Sequence, residues 1–314
     1  MSERTYGIIG TGALGGYYGA RLHHAGCDVR FLLHSDYEHV RRHGLRVESK
    51  HGDFSIEQPR VYATPADFEP VDVAVVAMKT TANDQLPQIM PHVVKPDGAV
   101  LVMQNGLGVE EQVAAASPEG VRENILGGLA FLCSHKIGPG HIRHLDYGQV
   151  RFGHWSNQEK ARGVTDVLRS VADDFEHAGL PVEVEADLLL ARWKKLLWNM
   201  PYNGLSVALN TTTDRLMGHG PTRALCIDIM WEAVRGAAAM DRQIGRDLVE
   251  QMIEYTDQMV AYKPSMLIDH EHGRPLELEA IYGYPLRKAR ERGERLVRTE
   301  MLHQMLTLVD GRGG

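Results

Sequence analysis

A glycine pattern close to the N-terminus constrains the fold of this chain more than any other feature. The pattern is G-x-G-x-x-G; it follows an apolar run at residues 6–10 and opens an amphipathic stretch at residues 13–25. Between a strand and a helix, the first glycine permits a tight turn, the second lets a pyrophosphate approach the backbone, and the third allows close helix–strand packing. The helix N-terminus then faces the anion. The motif predicts a dinucleotide site formed by Gly10, Thr11, Gly12, Ala13, Leu14 and Gly15.

The first half of the chain alternates strand-like and helix-like patterns. Residues 28–33 complete the beginning of a βαβ unit. Two later apolar runs, at residues 71–77 and 99–103, are nearly continuous, which is typical of parallel strands covered on both faces. The other elements predicted here are a hairpin beside the main sheet, a β-rich stretch, a helix and a short strand, over residues 45–57, 125–155, 159–178 and 182–184.

The pattern becomes almost wholly helical after Ala186. Periodic apolar stretches of helical length cover residues 188–209, 222–245, 246–262, 277–293 and 297–309. We therefore predict an α/β protein with an N-terminal Rossmann-type dinucleotide-binding domain, residues 1–186. A C-terminal all-helical domain, residues 187–314, is predicted to bind the substrate and to carry the catalytic groups.

Composition and charge narrow the class of protein. The 314 residues include 34 basic and 41 acidic side chains, a formal net charge of −7, so the chain lacks the positive charge that nucleic acid or an anionic membrane attracts. It contains neither a membrane-spanning apolar run nor a signal-peptide pattern. Three widely separated cysteines suit a reducing compartment. We expect a cytoplasmic protein without nucleic-acid or membrane partners.

Cofactor choice in such a fold is decided at the end of the second strand. An acidic side chain there binds the ribose 2′-hydroxyl of NAD, whereas a basic one binds the 2′-phosphate of NADP. His34 occupies this place, Asp36 lies two residues further on, and Arg41 and Arg42 follow on the next helix. Because His34 is not acidic, the sequence favours NADP, although a simple surface role for His34 stays open.

A polar stripe interrupts the apolar pattern after residue 187. Lys195, Asn199 and Asn203 are spaced by four, so a helix places them on one face. A lysine is a suitable general acid for carbonyl reduction because it can protonate the oxygen as hydride reaches the carbon, and burial lowers its pKa towards neutral pH. The spacing alone fits a solvent-facing stripe equally well. Pro201 within the same stretch predicts a kink.

Histidine is frequent in this chain, which raises the question of a metal site. The tightest pairs among the 16 histidines are His141 with His144 and His270 with His272. Neither pair has a thiolate or a third ligand at a convincing spacing, so we predict no metal site. No G-x-S-x-G or Cys–His arrangement indicates a covalent nucleophile.

Blocks of residues in a characteristic order resemble the ketopantoate reductase (2-dehydropantoate 2-reductase) family over essentially the whole chain. The glycine motif comes first, and Met78-Lys79 follows. The later blocks are Gln104-Asn105-Gly106-Leu107-Gly108, Trp193-Lys194-Lys195-Leu196, Pro264-Ser265-Met266-Leu267 and Gly273-Arg274-Pro275-Leu276-Glu277-Leu278-Glu279. The order and spacing together carry the resemblance.

The resemblance implies an activity and roles for individual residues. The activity is the NADPH-dependent reduction of the 2-keto acid 2-dehydropantoate to pantoate, a step of pantothenate biosynthesis. Lys195 matches the catalytic lysine and general acid, and Glu277 the glutamate that holds the substrate hydroxyl. The residues matching substrate contacts or the nicotinamide side of the site are Asn199, Asn203, Ser265, Asn105 and Lys79.

Two departures from the family pattern keep alternatives open. His34 stands where an arginine commonly grips the 2′-phosphate, and Tyr282 replaces an asparagine, which predicts a reshaped substrate end. Both favour the first alternative, a related 2-keto acid reductase or D-2-hydroxyacid dehydrogenase that uses NAD. The second alternative is a dinucleotide-binding sensor without catalysis. A homodimer through the helical domain is a further expectation.

Overall fold

Short apolar segments form the sheet of the first part of the chain. The computed structural model describes residues 4–311. Its strands are β1 (Thr5–Ile9), β2 (Asp28–Leu32), β3 (Leu45–Ser49), β4 (Phe54–Ile56), β5 (Arg60–Tyr62), β6 (Val71–Val76), β7 (Val94–Val102), β8 (Ile125–Gly138), β9 (His141–His154) and β10 (Val182–Glu185). They form one sheet in the order β4-β3-β9-β8-β7-β6-β1-β2-β5, and β10 pairs with β9.

The centre of the sheet is parallel and has the arrangement of a dinucleotide-binding fold. β1 pairs in parallel with β2 on one side and with β6 on the other, and β6 continues in parallel to β7 and β8. The strand order therefore reverses beside β1. In open α/β sheets, ligands bind outside the carboxyl ends of the strands at such a reversal.

The hairpin of β3 and β4 was predicted to lie beside the main sheet, but it forms part of that sheet. β3 pairs antiparallel with β4 and also in parallel with β9, where Arg46 is opposite His141 and Ser49 opposite His144. The hairpin therefore extends the main sheet. The sequence pattern could not show this, because the pairing partner lies about a hundred residues further along the chain.

Among the described residues, five α-helices accompany the sheet: α1 (Ala13–His24), α2 (Tyr37–His43), α3 (Leu86–Val93), α4 (Val109–Ala116) and α5 (Asp166–His177). Shorter 3₁₀ segments cover Pro65–Asp67, Thr80–Gln85 and Glu119–Asn124. The prediction that α5 begins at residue 159 is wrong. Glu159 has a left-handed φ of 56° and Gly163 one of 71°, and the helix begins only after Thr165, whose hydroxyl accepts the N–H of Leu168.

Close packing fixes α1 on the sheet. Gly19 faces Ile8 and Phe31, and a Cβ at Gly19 would lie 2.6 Å from Ile8 Cγ1 and 2.8 Å from Phe31 Cε1. Both partners are fully buried, and burying a side chain of this size contributes about 1.5–3 kcal/mol. The position of α1, and with it the loop that precedes it, is therefore set by direct backbone-to-side-chain contact.

The rest of the described chain is mainly helical. Its α-helices are α6 (Leu188–Ala208), α7 (Thr213–Gly218), α8 (Gly220–Ala239), α9 (Arg246–Asp257), α10 (Ser265–Glu271), α11 (Tyr284–Glu291) and α12 (Val297–Asp310), with a π-helical turn at Glu279–Gly283. The predicted helix over 277–293 is thus a π-turn followed by α11, and the pattern missed α7 and α10. Within the described part of the chain, none of the helices has the length and apolar character needed to cross a membrane.

Pro201 and Tyr282 are both buried in the helical part. α6 continues as one helix past Pro201. Tyr282, on the π-turn, is fully buried, and its hydroxyl donates to the carbonyl of Met200 at 2.8 Å. This side chain therefore joins the π-turn to α6 inside the core, and its effect on the substrate end stays a prediction.

The described chain divides into two compact units that do not follow sequence order alone. Unit 1 contains Met1–Gln104 and Val109–Leu188, and unit 2 contains Asn105–Gly108 and Leu189–Gly314. The short segment belongs to unit 2 because the N–H of Leu107 donates to the carbonyl of Ala280 at 2.8 Å. Gly106, with a φ of 93°, lies so close to Ala280 that a side chain would not fit.

Candidate active site

The glycine motif forms a loop at the carboxyl end of β1, called here the phosphate loop (residues 10–15). Gly10 has a φ of 96°, and a Cβ there would lie 2.5 Å from Met78 Cα. A Cβ at Gly15 would lie 2.9 Å from Ala77 Cβ and 3.1 Å from Ile8 Cγ2. Gly10 thus makes the turn, and Gly15 lets α1 approach the sheet. By contrast, a Cβ at Gly12 would have nothing within 4 Å, so this part of the loop faces open space.

The phosphate loop fits a dinucleotide diphosphate. α1 begins after Gly12 without a side-chain cap, so the first N–H groups of the helix lack the partner that a capping residue would give them. Thr11 Oγ1 is buried and has no hydrogen-bond partner in residues 4–311. Open space at Gly12, uncapped N–H groups and an orphaned hydroxyl together form a cradle for an anion.

At the end of β2 a histidine is exposed and the nearby acidic residue is buried. His34 and Ser35 are exposed, whereas Asp36 is buried. The Asp36 carboxylate accepts from Lys136 Nζ at 2.6 Å and from the N–H of Gly140 at 2.9 Å. Burial alone would raise the pKa of Asp36, but these two bonds outweigh it and keep the pKa below its ordinary value. Asp36 is committed to this contact, and His34 is the exposed side chain at the strand end.

Arg41 and Arg42, the other basic side chains after β2, share one carboxylate. Each places a guanidinium nitrogen 3.1 Å from Glu38 Oε2, and all three side chains are more than half exposed. Ion pairs this exposed contribute little to stability, so both arginines can exchange Glu38 for another anion.

Amide side chains join the carboxyl ends of β6 and β7. Gln104 is 4% exposed, and its Nε2 donates to the carbonyl of Met78 at 2.9 Å and to Asn83 Oδ1 at 2.6 Å. Lys79, the next residue after Met78, is exposed. Asn105, which belongs to unit 2, is partly exposed.

The polar stripe on α6 is largely buried. Asn199 is 7% exposed and Asn203 is 2% exposed, while Lys195 keeps part of its surface accessible. A solvent-facing stripe is therefore the wrong interpretation. Asn199 Nδ2 is buried without a hydrogen-bond partner among the described residues, so this amide donor is available for a further hydrogen bond.

The surroundings of Lys195 tune its acidity. Burial and the Arg192 guanidinium lower its pKa to about 7, while the Glu277 carboxylate acts in the opposite direction. Arg192 is 2% exposed and precedes Lys195 by one helical turn, and Glu277 is 6% exposed. A lysine with this pKa holds and releases a proton near neutral pH, as a general acid must.

Asn203 has a role that the sequence did not indicate. Its Oδ1 accepts the N–H of Met266 at 3.3 Å, in the first turn of α10. Ser265, the residue before Met266, is exposed and begins the same helix. Asn203 therefore anchors the segment that presents Ser265.

Sequence reasoning left out Arg192 and Gln104 as functional residues. A signal for Arg192 was present, since an arginine three residues before Lys195 in an apolar helix shares its face. Gln104 begins one of the sequence blocks that carry the family resemblance, but its partners, the carbonyl of Met78 and the amide of Asn83, are visible only in the folded chain.

The histidines of the first pair have structural partners. His144 is buried, with Nδ1 2.9 Å from Ser49 Oγ and Nε2 3.0 Å from the carbonyl of Tyr147. His141 Nε2 lies 2.9 Å from Glu48 Oε1. Over residues 4–311, the structure brings together no three His, Cys, Asp or Glu side chains that could hold a metal ion.

Sequence models of one family match both parts of the chain. The model described as "Ketopantoate reductase PanE/ApbA" matches residues 6–157, and "Ketopantoate reductase PanE/ApbA C terminal" matches residues 187–310. A 2-dehydropantoate 2-reductase from Nostoc sp. is 51% identical over 312 residues, covering 99% of this chain and 97% of that protein.

Solved structures share the whole fold. The crystal structure of 2-dehydropantoate 2-reductase from Geobacter metallireducens GS-15 has a TM-score of 0.91 and 38% identity, over 97% of this chain and 99% of that one. A D-mandelate dehydrogenase solved with NADH and anilino(oxo)acetate has a TM-score of 0.85 at 21% identity, over 98% of this chain and 99% of that one. The second likeness concerns the fold alone.

Proposed function

The chain belongs to the ketopantoate reductase family, and on this premise we propose that it reduces 2-dehydropantoate to pantoate with NADPH. The observation that carries the proposal is Lys195, whose pKa of about 7 arises inside a buried polar group that includes Glu277. The same observation argues against a non-catalytic sensor, because burying an ammonium next to a guanidinium costs stability and serves no structural purpose that an apolar residue would not serve better.

Four polar residues of unit 2 each have a proposed task in this reaction. When bound, the reduced nicotinamide supplies a hydride to the keto carbon. As the carbonyl π electrons move to the oxygen, Lys195 Nζ donates the proton that completes the hydroxyl and is left as a neutral amine. Asn199 Nδ2 donates to the substrate, Glu277 accepts a hydrogen bond from the substrate hydroxyl, and Ser265 binds the carboxylate.

In unit 1 the phosphate loop holds the cofactor diphosphate. His34 is proposed to face the 2′-phosphate, because it is exposed at the end of β2 while Asp36 is engaged by Lys136. Lys79 and Asn105 are proposed to lie on the nicotinamide side, as the family resemblance implies. These assignments define the NADPH site that we propose.

The second candidate is a D-2-hydroxyacid dehydrogenase that uses NAD. It is favoured by His34, which stands in place of the arginine expected from the family. The D-mandelate dehydrogenase that shares this fold was solved with NADH. The engagement of Asp36 argues for NADPH, because an acid tied to Lys136 is not available to a ribose 2′-hydroxyl.

One panel of assays separates these candidates. Steady-state rates are measured with 2-dehydropantoate, 2-ketoisovalerate and phenylglyoxylate, each with NADPH and with NADH. The proposal expects the highest kcat/KM with 2-dehydropantoate and NADPH. A negligible rate with 2-dehydropantoate, or a clear preference for NADH, would replace it by the second candidate.

A homodimer and a cytoplasmic location remain part of the proposal. α12 carries an exposed apolar face at helical spacing, formed by Val297, Met301, Met305 and Leu308. Pairing of two such faces would remove them from water. Light scattering of the purified protein tests the dimer, and a monomer at micromolar concentration would exclude it.

A further inference from the structure

Gln104 and Asn83 form a reciprocal amide pair at the carboxyl ends of β6 and β7. Gln104 Nε2 donates to Asn83 Oδ1 at 2.6 Å, and Asn83 Nδ2 donates back to Gln104 Oε1 at 3.3 Å. Asn83 Nδ2 also donates to Gln112 Oε1 on α4 at 2.7 Å. Both side chains of the pair, called here the amide clamp, are thereby held in one orientation.

The amide clamp holds the backbone at Met78. Gln104 Nε2 also donates to the carbonyl of Met78 at 2.9 Å, beyond the last residue of β6, where the strand no longer fixes the chain. On its other side Met78 packs against Gly10, where no Cβ would fit. The Met78 backbone is therefore gripped between the phosphate loop and the amide clamp.

The direction of the chain at Lys79 follows from this grip. The carbonyl of Met78 belongs to the peptide group that links it to Lys79, so a hydrogen bond to that oxygen fixes the peptide plane from which Lys79 starts. Gly10 approaches Met78 from the other end of the residue, since a Cβ at Gly10 would lie against the N and Cα of Met78. The carbonyl side is set by Gln104.

We propose that Gln104 is a positioning residue, which acts through Met78 to place Lys79 at the nicotinamide end of the cofactor site. A side chain that orients a binding group must itself be locked by packing and further hydrogen bonds, and the two reciprocal bonds between Gln104 and Asn83 supply that lock. The inference rests on the proposed dinucleotide site in unit 1. It assigns to Gln104 an effect on the nicotinamide half of the cofactor, distinct from the effect of the phosphate loop on the diphosphate.

The test compares two ligands that differ only by the nicotinamide ring. NADP⁺ and 2′-phospho-ADP-ribose are titrated by calorimetry into the wild type and Q104M, which keeps the size of the side chain and removes its donor. We expect Q104M to weaken NADP⁺ about tenfold and to change the affinity for 2′-phospho-ADP-ribose by less than about twofold. Equal losses for both ligands, or no loss for either, would overturn the proposal.

Two further variants complete the design. Q112L removes the outer bond and leaves the contact from Gln104 to Met78 in place, so both affinities should stay within about twofold of the wild type. N83L serves if Q104M does not fold; it removes the lock on Gln104, and we expect a selective loss of about threefold for NADP⁺. A non-selective N83L effect, or none, would then decide against the amide clamp.

The outcome is separable from that of the proposed function. A wild-type protein that binds neither NADP⁺ nor 2′-phospho-ADP-ribose contradicts the NADP site itself, and NAD⁺ with ADP-ribose then becomes the ligand pair for the same variants. A wild-type protein that binds NADP⁺ while Q104M shows no selective loss contradicts only the role of Gln104.

Discussion

The phosphate loop of unit 1 and the polar stripe of unit 2 are two candidate binding regions built on opposite principles. In the loop, the chemistry belongs to the backbone, and the glycines matter because they have no side chain: Gly10 and Gly15 leave no room for a Cβ, while Gly12 faces open space. In the stripe, the chemistry belongs to side chains, and what matters is the burial around them. Loss of a proton donor and gain of a Cβ should therefore break the two regions in different ways.

The largest effect is expected from removing the proton donor of the stripe. K195M should lower kcat by about 10³-fold, because general acid catalysis contributes typically 10²–10⁴-fold. The affinity for NADP⁺ should stay close to that of the wild type, since unit 1 forms the phosphate loop by itself. Pre-steady-state rates and calorimetry on the same sample measure both. A kcat within threefold of the wild type would remove Lys195 from the mechanism.

The next largest effect is expected in the phosphate loop, where Gly12 faces open space and Gly10 is tightly packed. G12A should fold with nearly unchanged stability, because Gly12 has a φ of −83° and its Cβ meets nothing, yet it should weaken NADP⁺ about 10²-fold by occupying the room of the diphosphate. G10A is the matched comparison, and should cost about 1–3 kcal/mol of unfolding free energy from its left-handed φ and its contact with Met78. Similar unfolding midpoints in urea for both variants would contradict this distinction.

A smaller effect on substrate affinity is expected at Asn203, which acts through α10. N203L should raise the KM for 2-dehydropantoate about tenfold, because Met266 loses its acceptor and Ser265 is misplaced. If Asn203 acts through Ser265, the double variant N203L/S265A should be no worse than the worse single variant. Additive losses of substrate affinity in this double-mutant cycle would instead show that Asn203 contacts the substrate itself.

The pH dependence of the reaction tests the charges around Lys195. The reduction needs protonated Lys195, so kcat/KM should be level at acidic pH and fall as pH rises through about 7, and the reverse oxidation should gain. E277Q removes the charge that raises the pKa and should move the midpoint to lower pH. R192M removes a charge that lowers it and should move the midpoint to higher pH. Midpoints that do not move in opposite directions would exclude this electrostatic account.

The smallest effect is on stability and has the opposite sign to the effect on catalysis. The pKa of Lys195 is lower in the folded chain than in the unfolded one, so the unfolded state binds more protons between pH 7 and 10.5. The loss of unfolding free energy that buried, protonated Lys195 causes is complete below pH 7, and it is relieved as pH rises from 7 to 10.5. K195M should therefore raise the free energy of unfolding by about 1 kcal/mol at pH 6 and by less at pH 10. Urea denaturation at the two pH values measures this difference.

Much of the fold was predictable because its signals are local. The α/β class, the Rossmann-type sheet and the helical second part are confirmed, and so is the family resemblance. The start of α5 was missed because the pattern of its apolar residues continues before Thr165, where left-handed residues exclude a helix. The continuous helix over 277–293 failed because Tyr282 turns inward to the carbonyl of Met200, a partner 82 residues away.

The candidate site was predictable to a lesser extent, and its residue roles stay predictions. The spacing placed Lys195, Asn199 and Asn203 on one face but left their burial undecided, since burial depends on what packs against that face. Likewise, Asp36 looks available in the sequence and is held by Lys136, a hundred residues away. Contacts of this range are made by topology, which no local pattern contains.

The membership of Asn105–Gly108 in unit 2 has a consequence for how the protein can be divided. The backbone crosses from one unit to the other three times, after Gln104, after Gly108 and after Leu188. A single proteolytic cut after Leu188 would leave the partner of the Ala280 carbonyl on the other fragment. Neither unit is therefore one continuous stretch of chain, and no single cut can release either unit whole and free of the other.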